Sequence, residues 1–461
     1  MGEHPHQGSN GDLLCHSSIP ISWQRLLQPC IVPLLCPWSL VPGPQSPTSP
    51  FSATLTAAMS NVLSQVVEII TTVLTVAGMG YYLAAMVAAR IFVVNRRAPL
   101  EAFSPGVSIL KSLKGLDPGM IEAFRSHCRQ TYAGDFELLF GVSSLADPAS
   151  VAVEQLQKEF PAHSIQLVRC PTTLGTNGKV STLVQLATHA RHSFLLINDS
   201  DITVSPRYFE RVMAHFAPLA EEPAPALRSG KAQKEVGLVT ALYRGRAHGT
   251  LPSRLEALGI ATDFQAGVLL SKLIEGGLHY GLGSTLAVSS EALDKIGGLE
   301  TLVDHLADDY ELGVRVCQAG YRVALSAEVV ETAIPAYGWS AFIDHQLRWA
   351  RTVRDARPGG YAGLLFTHGL ALALLNVLAS GLSPLSLWLL GLSFFLRLAL
   401  AMTVGAEVLG DHEVLPNLWL LPLRDLVAMG MWAAGFAGNS IVWRGQRFLL
   451  NGGKLQPMEK Q

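Results

Sequence analysis

Two carboxylates two residues apart, Asp199 and Asp201 in Asp199-Ser200-Asp201, close the apolar run of residues 194–197. Four large apolar residues in a row without helical polarity read as a buried strand. Unpaired acids are badly placed in a core and well placed to hold a divalent cation, Mg or Mn, through hard oxygen ligands. Such a cation can in turn hold a diphosphate. The tripeptide alone is weak evidence, because the same pattern is common in solvated turns. About a hundred residues on, Asp308-Asp309-Tyr310-Glu311 places two acids at a predicted helix start, where the helix dipole favours them. Asp309 there is also a candidate general base for a hydroxyl. A neighbouring acid and partial burial both raise a carboxylate pKa.

Four further groups accompany the acids. Lys111-Ser-Leu-Lys114-Gly115-Leu-Asp117 follows the first predicted strand, where Lys114 and Gly115 can approach a nucleotide or form a plain turn. Asp147-Pro148 follows the second strand, in a position that also suits a helix cap. Lys179 stands at a predicted helix start, either in solvent or against phosphates. His345-Gln-Leu-Arg348-Trp349-Ala-Arg351 precedes an apolar segment. Its Arg and Trp either anchor an interfacial helix or serve a leaving diphosphate and an acceptor.

The elements that must position these residues alternate. Strands are predicted at 107–110, 136–142, 165–168, 194–197 and 236–242, with helices near 118–130, 148–160, 179–192 and 205–216. This is an α/β chain with a Rossmann-like sheet, and ligands on such sheets bind at the carboxyl ends of strands. The 461 residues are 49% hydrophobic and only 15% charged, and the apolar excess lies at the two ends. Residues 62–92 predict one membrane helix, and Arg90, Arg96 and Arg97 at its end place the following domain in the cytoplasm. Residues 364–381, 385–404 and 418–443 are candidate spans, although Arg397, Arg424 and Asp425 lie within them. Three spans would put the tail, residues 444–461, on the far side from the domain, against its Arg444, Arg447 and Lys454. Residues 1–58, rich in Pro, Ser, Gln and His, read as a disordered or misassigned extension. A net charge of −2 gives no pointer to nucleic acid. The six cysteines show no metal spacing, which favours a reduced compartment.

Taken in order, Lys111–Gly115, Asp147, Gly175-Thr-Asn177-Gly-Lys179, Asp199, Asp309 and Arg348-Trp349 resemble the motifs of glycosyltransferase family 21, the ceramide glucosyltransferase-like group. Ser112 replaces a proline of the family loop, and His345 stands where the last motif usually begins with Gln or Arg. The resemblance covers about residues 60–450. It implies a GT-A domain at 104–335, an interfacial helix at 336–360 and transmembrane helices at 361–443. It also implies a UDP-sugar donor held by Lys114, Asp147, Lys179, Asp199 and Asp201, with Asp147 accepting the imide N–H of uracil. A divalent metal would sit on Asp199 and Asp201, and catalysis would fall to Asp309, Arg348 and Trp349. The acceptor is then a membrane lipid in the bilayer, with residues 252–284 as its mouth. Within the family the chain is most similar to the hopanoid-biosynthesis branch. This implies GlcNAc transfer from UDP-GlcNAc to bacteriohopanetetrol at a bacterial inner membrane, with ceramide and UDP-glucose as the alternative pair. A processive polysaccharide synthase is a rival that needs more helices, and a non-catalytic scaffold would have lost the acids.

Overall fold

The computed structural model describes residues 50–97, 100–218, 234–443 and 445–458. The chain divides into two units, 1–57 and 58–461, and nearly all described residues belong to the second. The expectation for residues 1–49, and that of a surface loop which the prolines at 223 and 225 suggest for residues 221–234, lie outside the described residues, Lys234 excepted.

Seven strands form the central sheet: β1 (Val107–Ser112), β2 (Phe136–Val142), β3 (Ser164–Arg169), β4 (Phe194–Ile197), β5 (Val236–Ala247), β6 (Leu286–Ser289) and β7 (Arg322–Ile334). Their order is β3-β2-β1-β4-β6-β5-β7. β1 to β4 are parallel, and helices Met120–Cys128, Ala149–Glu159 and Gly178–Ala187 connect them. β6 runs against both β4 and β5, while β5 and β7 are parallel. The fold is therefore a mixed α/β sheet of GT-A type. β4 reads as a continuous apolar run because helices cover both faces of the sheet.

Among the described residues, four helices are long and apolar enough to cross a membrane: Asn61–Asn95, Leu251–Ile274, Pro358–Ala379 and Pro384–Val408. The second was unexpected. It packs along β5 and contains a π-helical turn at Ile260–Phe264. The segment 418–443 is not one helix. A helix spans Leu421–Gly435, and the chain then turns into β8 (Ser440–Trp443), β9 (Gln446–Asn451) and β10 (Lys454–Pro457). Arg354 donates to the carbonyls of Gly435 (2.5 Å) and Gly438 (3.1 Å), and Arg351 to that of Ala437 (2.8 Å), satisfying oxygens that a helix end leaves open.

This C-terminal sheet returns to the catalytic domain. Leu306 N donates to Gly453 O at 3.0 Å, and Leu455 N to Asp304 O at 2.8 Å. The tail and the domain therefore share one side, which an odd number of crossings between them does not allow. The contact also clamps the loop that leads into Asp308 and Asp309.

Candidate active site

The carboxyl ends of β1 and β4 carry the centre of the site. Lys111, fully buried near the end of β1, donates from Nζ to the carbonyl of Asp199 at 2.9 Å. Burial pushes its pKa down to about 7, against the pull of Asp201 and Asp199. His127 lies behind it and bonds Asn198 Oδ1 through Nε2 at 3.2 Å. Burial first, and Lys111 second, hold this imidazole down at about 3, so it stays neutral.

Asp199 is half-buried and faces the cleft, its Oδ1 2.8 Å from Lys179 Nζ. Asp201 is anchored to β7: its Oδ2 accepts from the Thr332 hydroxyl and from Ala333 N (3.1 Å). One oxygen of Asp201 is thus engaged by the fold, leaving the other for a ligand. Burial, then the neighbouring Asp199, push the Asp201 carboxyl up to about 6.

Lys179 sits one residue inside the helix Gly178–Ala187, whose N-cap is Asn177. The Asn177 side chain accepts from Lys179 N (3.0 Å) and Val180 N (3.2 Å), and its amide donates to His305 O at 2.7 Å. Thr176 also binds Asp304 through N (2.9 Å) and Oγ1 (3.1 Å). The loop of Lys179 is thereby locked to the loop preceding Asp308. As a result Lys179 Nζ lies 3.4 Å from Asp308 Oδ2 as well as against Asp199. Burial alone would lower its pKa, but Asp199, Asp308 and Asp309 together raise it, so it remains a fixed cation.

Asp309 is the second residue of the helix Asp308–Gln318, and its Oδ1 accepts from Tyr310 N at 2.8 Å. Burial, then Asp308, push its pKa up to about 6, with Lys179 pulling the other way. A Cβ added to Gly283 would lie 3.0 Å from Asp309 Oδ2 and 3.8 Å from Asp199 Oδ2. Both carboxylates therefore face one small space that Gly283 keeps open. Tyr243 on β5 stands in the combined field of Asp309, Glu256, Asp199 and Asp201.

The nucleotide-side loop is tied to this centre. Gly115 N donates to Asp147 Oδ1 and Oδ2 at 2.9 and 3.2 Å, and Ala149 N to Asp147 Oδ1 at 2.9 Å. Asp147 thus performs the helix-start role and also fixes the glycine turn, where Gly115 has φ 73°. A carboxylate has about four acceptor sites, so a further donor can still be received. Lys114 beside it is exposed. The Ser200 hydroxyl binds Asp117 and joins this loop to the Asp199–Asp201 turn.

Arg348 and Trp349 lie on the helix Trp339–Ala356. Trp349 stacks near Phe264 (6.2 Å between centroids), and Phe264 near Tyr243 (5.6 Å), so the tryptophan meets the acidic centre through an aromatic wall. Arg348 lines a cleft of about 220 Å³ with Arg351, Arg447 and Asp344, and its charge also reaches Tyr337. His345 Nδ1 lies 3.1 Å from Glu256 Oε2, an oxygen that also accepts from Gln346 (3.1 Å) and from the Tyr337 hydroxyl. The histidine thus ties the Arg-Trp helix to the helix Leu251–Gly259. Tyr243 escaped sequence reasoning, Gly283 and Glu256 were read only within the stretch 252–284, and Lys111 was read as the start of the loop after the first strand, although it lies within β1.

No three His, Cys, Asp or Glu side chains gather as a metal cluster among the described residues. The donor set still suits Mg or Mn, which take one or two carboxylates plus substrate phosphates. The raised pKa of Asp201 marks negative charge that a cation would relieve.

An alternating sheet with acids at its strand ends and helices at both flanks is the architecture of a membrane-associated glycosyltransferase. The chain belongs to glycosyl transferase family 21, whose model matches residues 70–456. It is similar to ceramide glucosyltransferase 1 of Caenorhabditis elegans, 24% identical over 79% of this chain and 76% of that one. It is also similar to ceramide glucosyltransferase 3 of the same organism, 25% identical over 56% of this chain. The latter match spans only about half, 52%, of the relative's length. Among solved structures, a mannosyltransferase from Pyrobaculum calidifontis in complex with GDP-Man and Mn2+ matches with TM-score 0.46 and 19% identity, over 80% of this chain and 99% of that one.

Proposed function

We propose that this protein transfers a hexose from a UDP-sugar to the hydroxyl of a membrane lipid by a single inverting displacement. The observation that carries the reading is the convergence of Asp309 and Asp199 on the space beside Gly283, with Lys179 paired to Asp199 and Asp308. Asp309 takes the acceptor's hydroxyl proton on a carboxylate poised near 6, which suits a base working near neutrality. The acceptor oxygen attacks the anomeric carbon as the bond to the diphosphate breaks, and UDP departs. Lys179, freed from Asp199 by the incoming donor, offers its charge to the phosphates, and Arg348 adds a second cation. A divalent cation held by Asp199 and the free oxygen of Asp201 would neutralise the diphosphate. Asp147, Lys114 and the Gly115 turn form the seat of the uracil end, and Trp349 faces the acceptor.

The donor is proposed to be UDP-GlcNAc and the acceptor bacteriohopanetetrol, on the resemblance to the hopanoid-biosynthesis glycosyltransferase HpnI. The ceramide glucosyltransferase relatives favour UDP-glucose and ceramide as the second pair. We place the catalytic domain in the cytoplasm because Arg90, Arg96 and Arg97 cluster at the end of the first apolar helix, and at a bacterial inner membrane on the same resemblance. The test is transfer by the purified chain in membranes, with each donor and acceptor in turn and with and without Mn or Mg. A GlcNAc-hopanoid product establishes the reading. Glucosylceramide overturns the substrate pair alone, and no product from any pair overturns the function.

A further inference from the structure

All four long apolar helices send polar side chains to one buried place. Arg397, 1% exposed, binds Asp425 through Nε (2.9 and 3.2 Å) and Nη2 (2.9 Å), and reaches the Thr262 hydroxyl at 3.0 Å and Asp263 through Nη2. Arg424 Nη2 lies 3.3 Å from Asp263 Oδ2. Two arginines and two aspartates make the cluster neutral overall. These ion pairs account for its charge but not for its hydrogen-bonding groups. Arg397 Nη1, Arg424 Nε and Nη1, Asp263 Oδ2, Tyr81 OH and His368 Nε2 are buried and make no hydrogen bond to the protein. Tyr81 and His368 both lie within electrostatic reach of Asp263 and Arg397. In an apolar bundle each unpartnered group is costly, and ionisable residues at membrane depth mark substrate sites more often than not.

The place of the cluster gives it a purpose. Thr262 and Asp263 lie on the π-helical turn Ile260–Phe264, a distortion frequent at functional sites. The next residue, Phe264, belongs to the aromatic wall between Tyr243 and Trp349. A head group lying on the cluster is therefore beside the wall that leads to Asp309.

We propose that this cluster binds the uncharged, oxygen-rich head of the lipid acceptor. The surplus is mostly N–H and O–H donors, which call for hydroxyl or amide oxygens, and the balanced charge disfavours a phosphate. The assignment rests on the lipid-acceptor reading, deepens it, and is tested separately from transfer. The full chain in detergent is titrated with bacteriohopanetetrol and with short-chain ceramide, alone and against phosphatidylglycerol, with intrinsic tryptophan fluorescence as readout. Trp432 lies 6.1 Å from His368, and Trp349 6.2 Å from Phe264. Tyr81→Phe and His368→Phe each remove one unpartnered polar group and keep a ring. Each is expected to weaken binding of the neutral lipid about fivefold, the worth of roughly one net hydrogen bond, with Tm unchanged. Phosphatidylglycerol is expected not to compete. Binding unaffected by both variants, or competed equally by phosphatidylglycerol, or absent from the wild-type chain, overturns the proposal. Intact, variant-sensitive binding with no transfer to any lipid leaves the site standing and overturns the transferase reading instead.

Discussion

Gly283→Ala is the sharpest test of the geometry. Gly283 is not among the glycines with positive φ, so alanine meets no backbone strain there. The substitution should leave stability unchanged or raise it by about 0.4–1 kcal/mol through the unfolded chain. The new methyl carbon, however, would lie 3.0 Å from Asp309 Oδ2, so the carboxylate must give by a few tenths of an ångström. It would also stand 3.8 Å from Asp199 Oδ2, in the space the two acids share. A misplacement of about 1 Å can cost a hundredfold in rate, so a shift of a few tenths implies a loss of roughly fivefold to tenfold in kcat. The assay is steady-state transfer with both substrates varied, beside a thermal melt of the same preparation. A tenfold lower kcat at unchanged Tm is the expected result. Full kcat with a folded protein would refute the claim that Asp309 and Asp199 work across Gly283.

The acid limb of kcat/KM should fall at about pH 6, because Asp309 accepts a proton only when ionised and its pKa is pushed up to about 6. Asp309→Asn should lose at least about a hundredfold in rate, with an unchanged melt. In Lys179→Met the cation that pulls the Asp309 pKa down is gone, so any residual activity should show its acid limb at higher pH; an unmoved limb would separate the two residues. Chelation should abolish transfer and Mn or Mg restore it, read as UDP release. Asn177→Ala should lower stability by about 1 kcal/mol through loss of the helix cap, and should raise the donor KM as Lys179 loosens, both read on one preparation.

The first half of the domain was readable because each strand there is an apolar run ended by a chemically distinctive loop. β1, β2, β3 and β4 all lie where their runs predict. β6 was not readable: Leu286–Ser289 is only four residues long, and its direction is set by pairing with β4 and β5. β7 was missed because Glu328, Glu331 and Thr332 interrupt its apolar pattern, and each is polar for a reason found only in space. Glu331 binds Arg244 (3.1 Å) and Arg246 (2.8 Å), Glu328 binds Arg211, and Thr332 holds Asp201. Chemistry-bearing side chains showed in the sequence where they sit at strand ends. Gly283, Tyr243 and Glu256 did not, since an open space or a shared field is a property of several distant segments at once.

The charges within the apolar segments show the same limit. Arg397 and the Arg424-Asp425 pair read as expensive residues without partners, and expense alone does not say what relieves it. The missing member is Asp263, more than a hundred residues earlier, in a stretch with no membrane signature of its own beyond length and apolarity. Once Asp263 is placed, the charges balance and the ion pairs need no ligand. What remains is a set of polar atoms on Arg397, Arg424, Tyr81 and His368, the arginine N–H groups foremost, that pairing does not absorb. A bundle held together only by ion pairs gains nothing from an unpartnered tyrosine hydroxyl at its centre. Tyr81→Phe therefore separates the two accounts: in a purely structural cluster it is neutral or stabilising, and in a binding site it loosens a neutral lipid while the melt stays where it was.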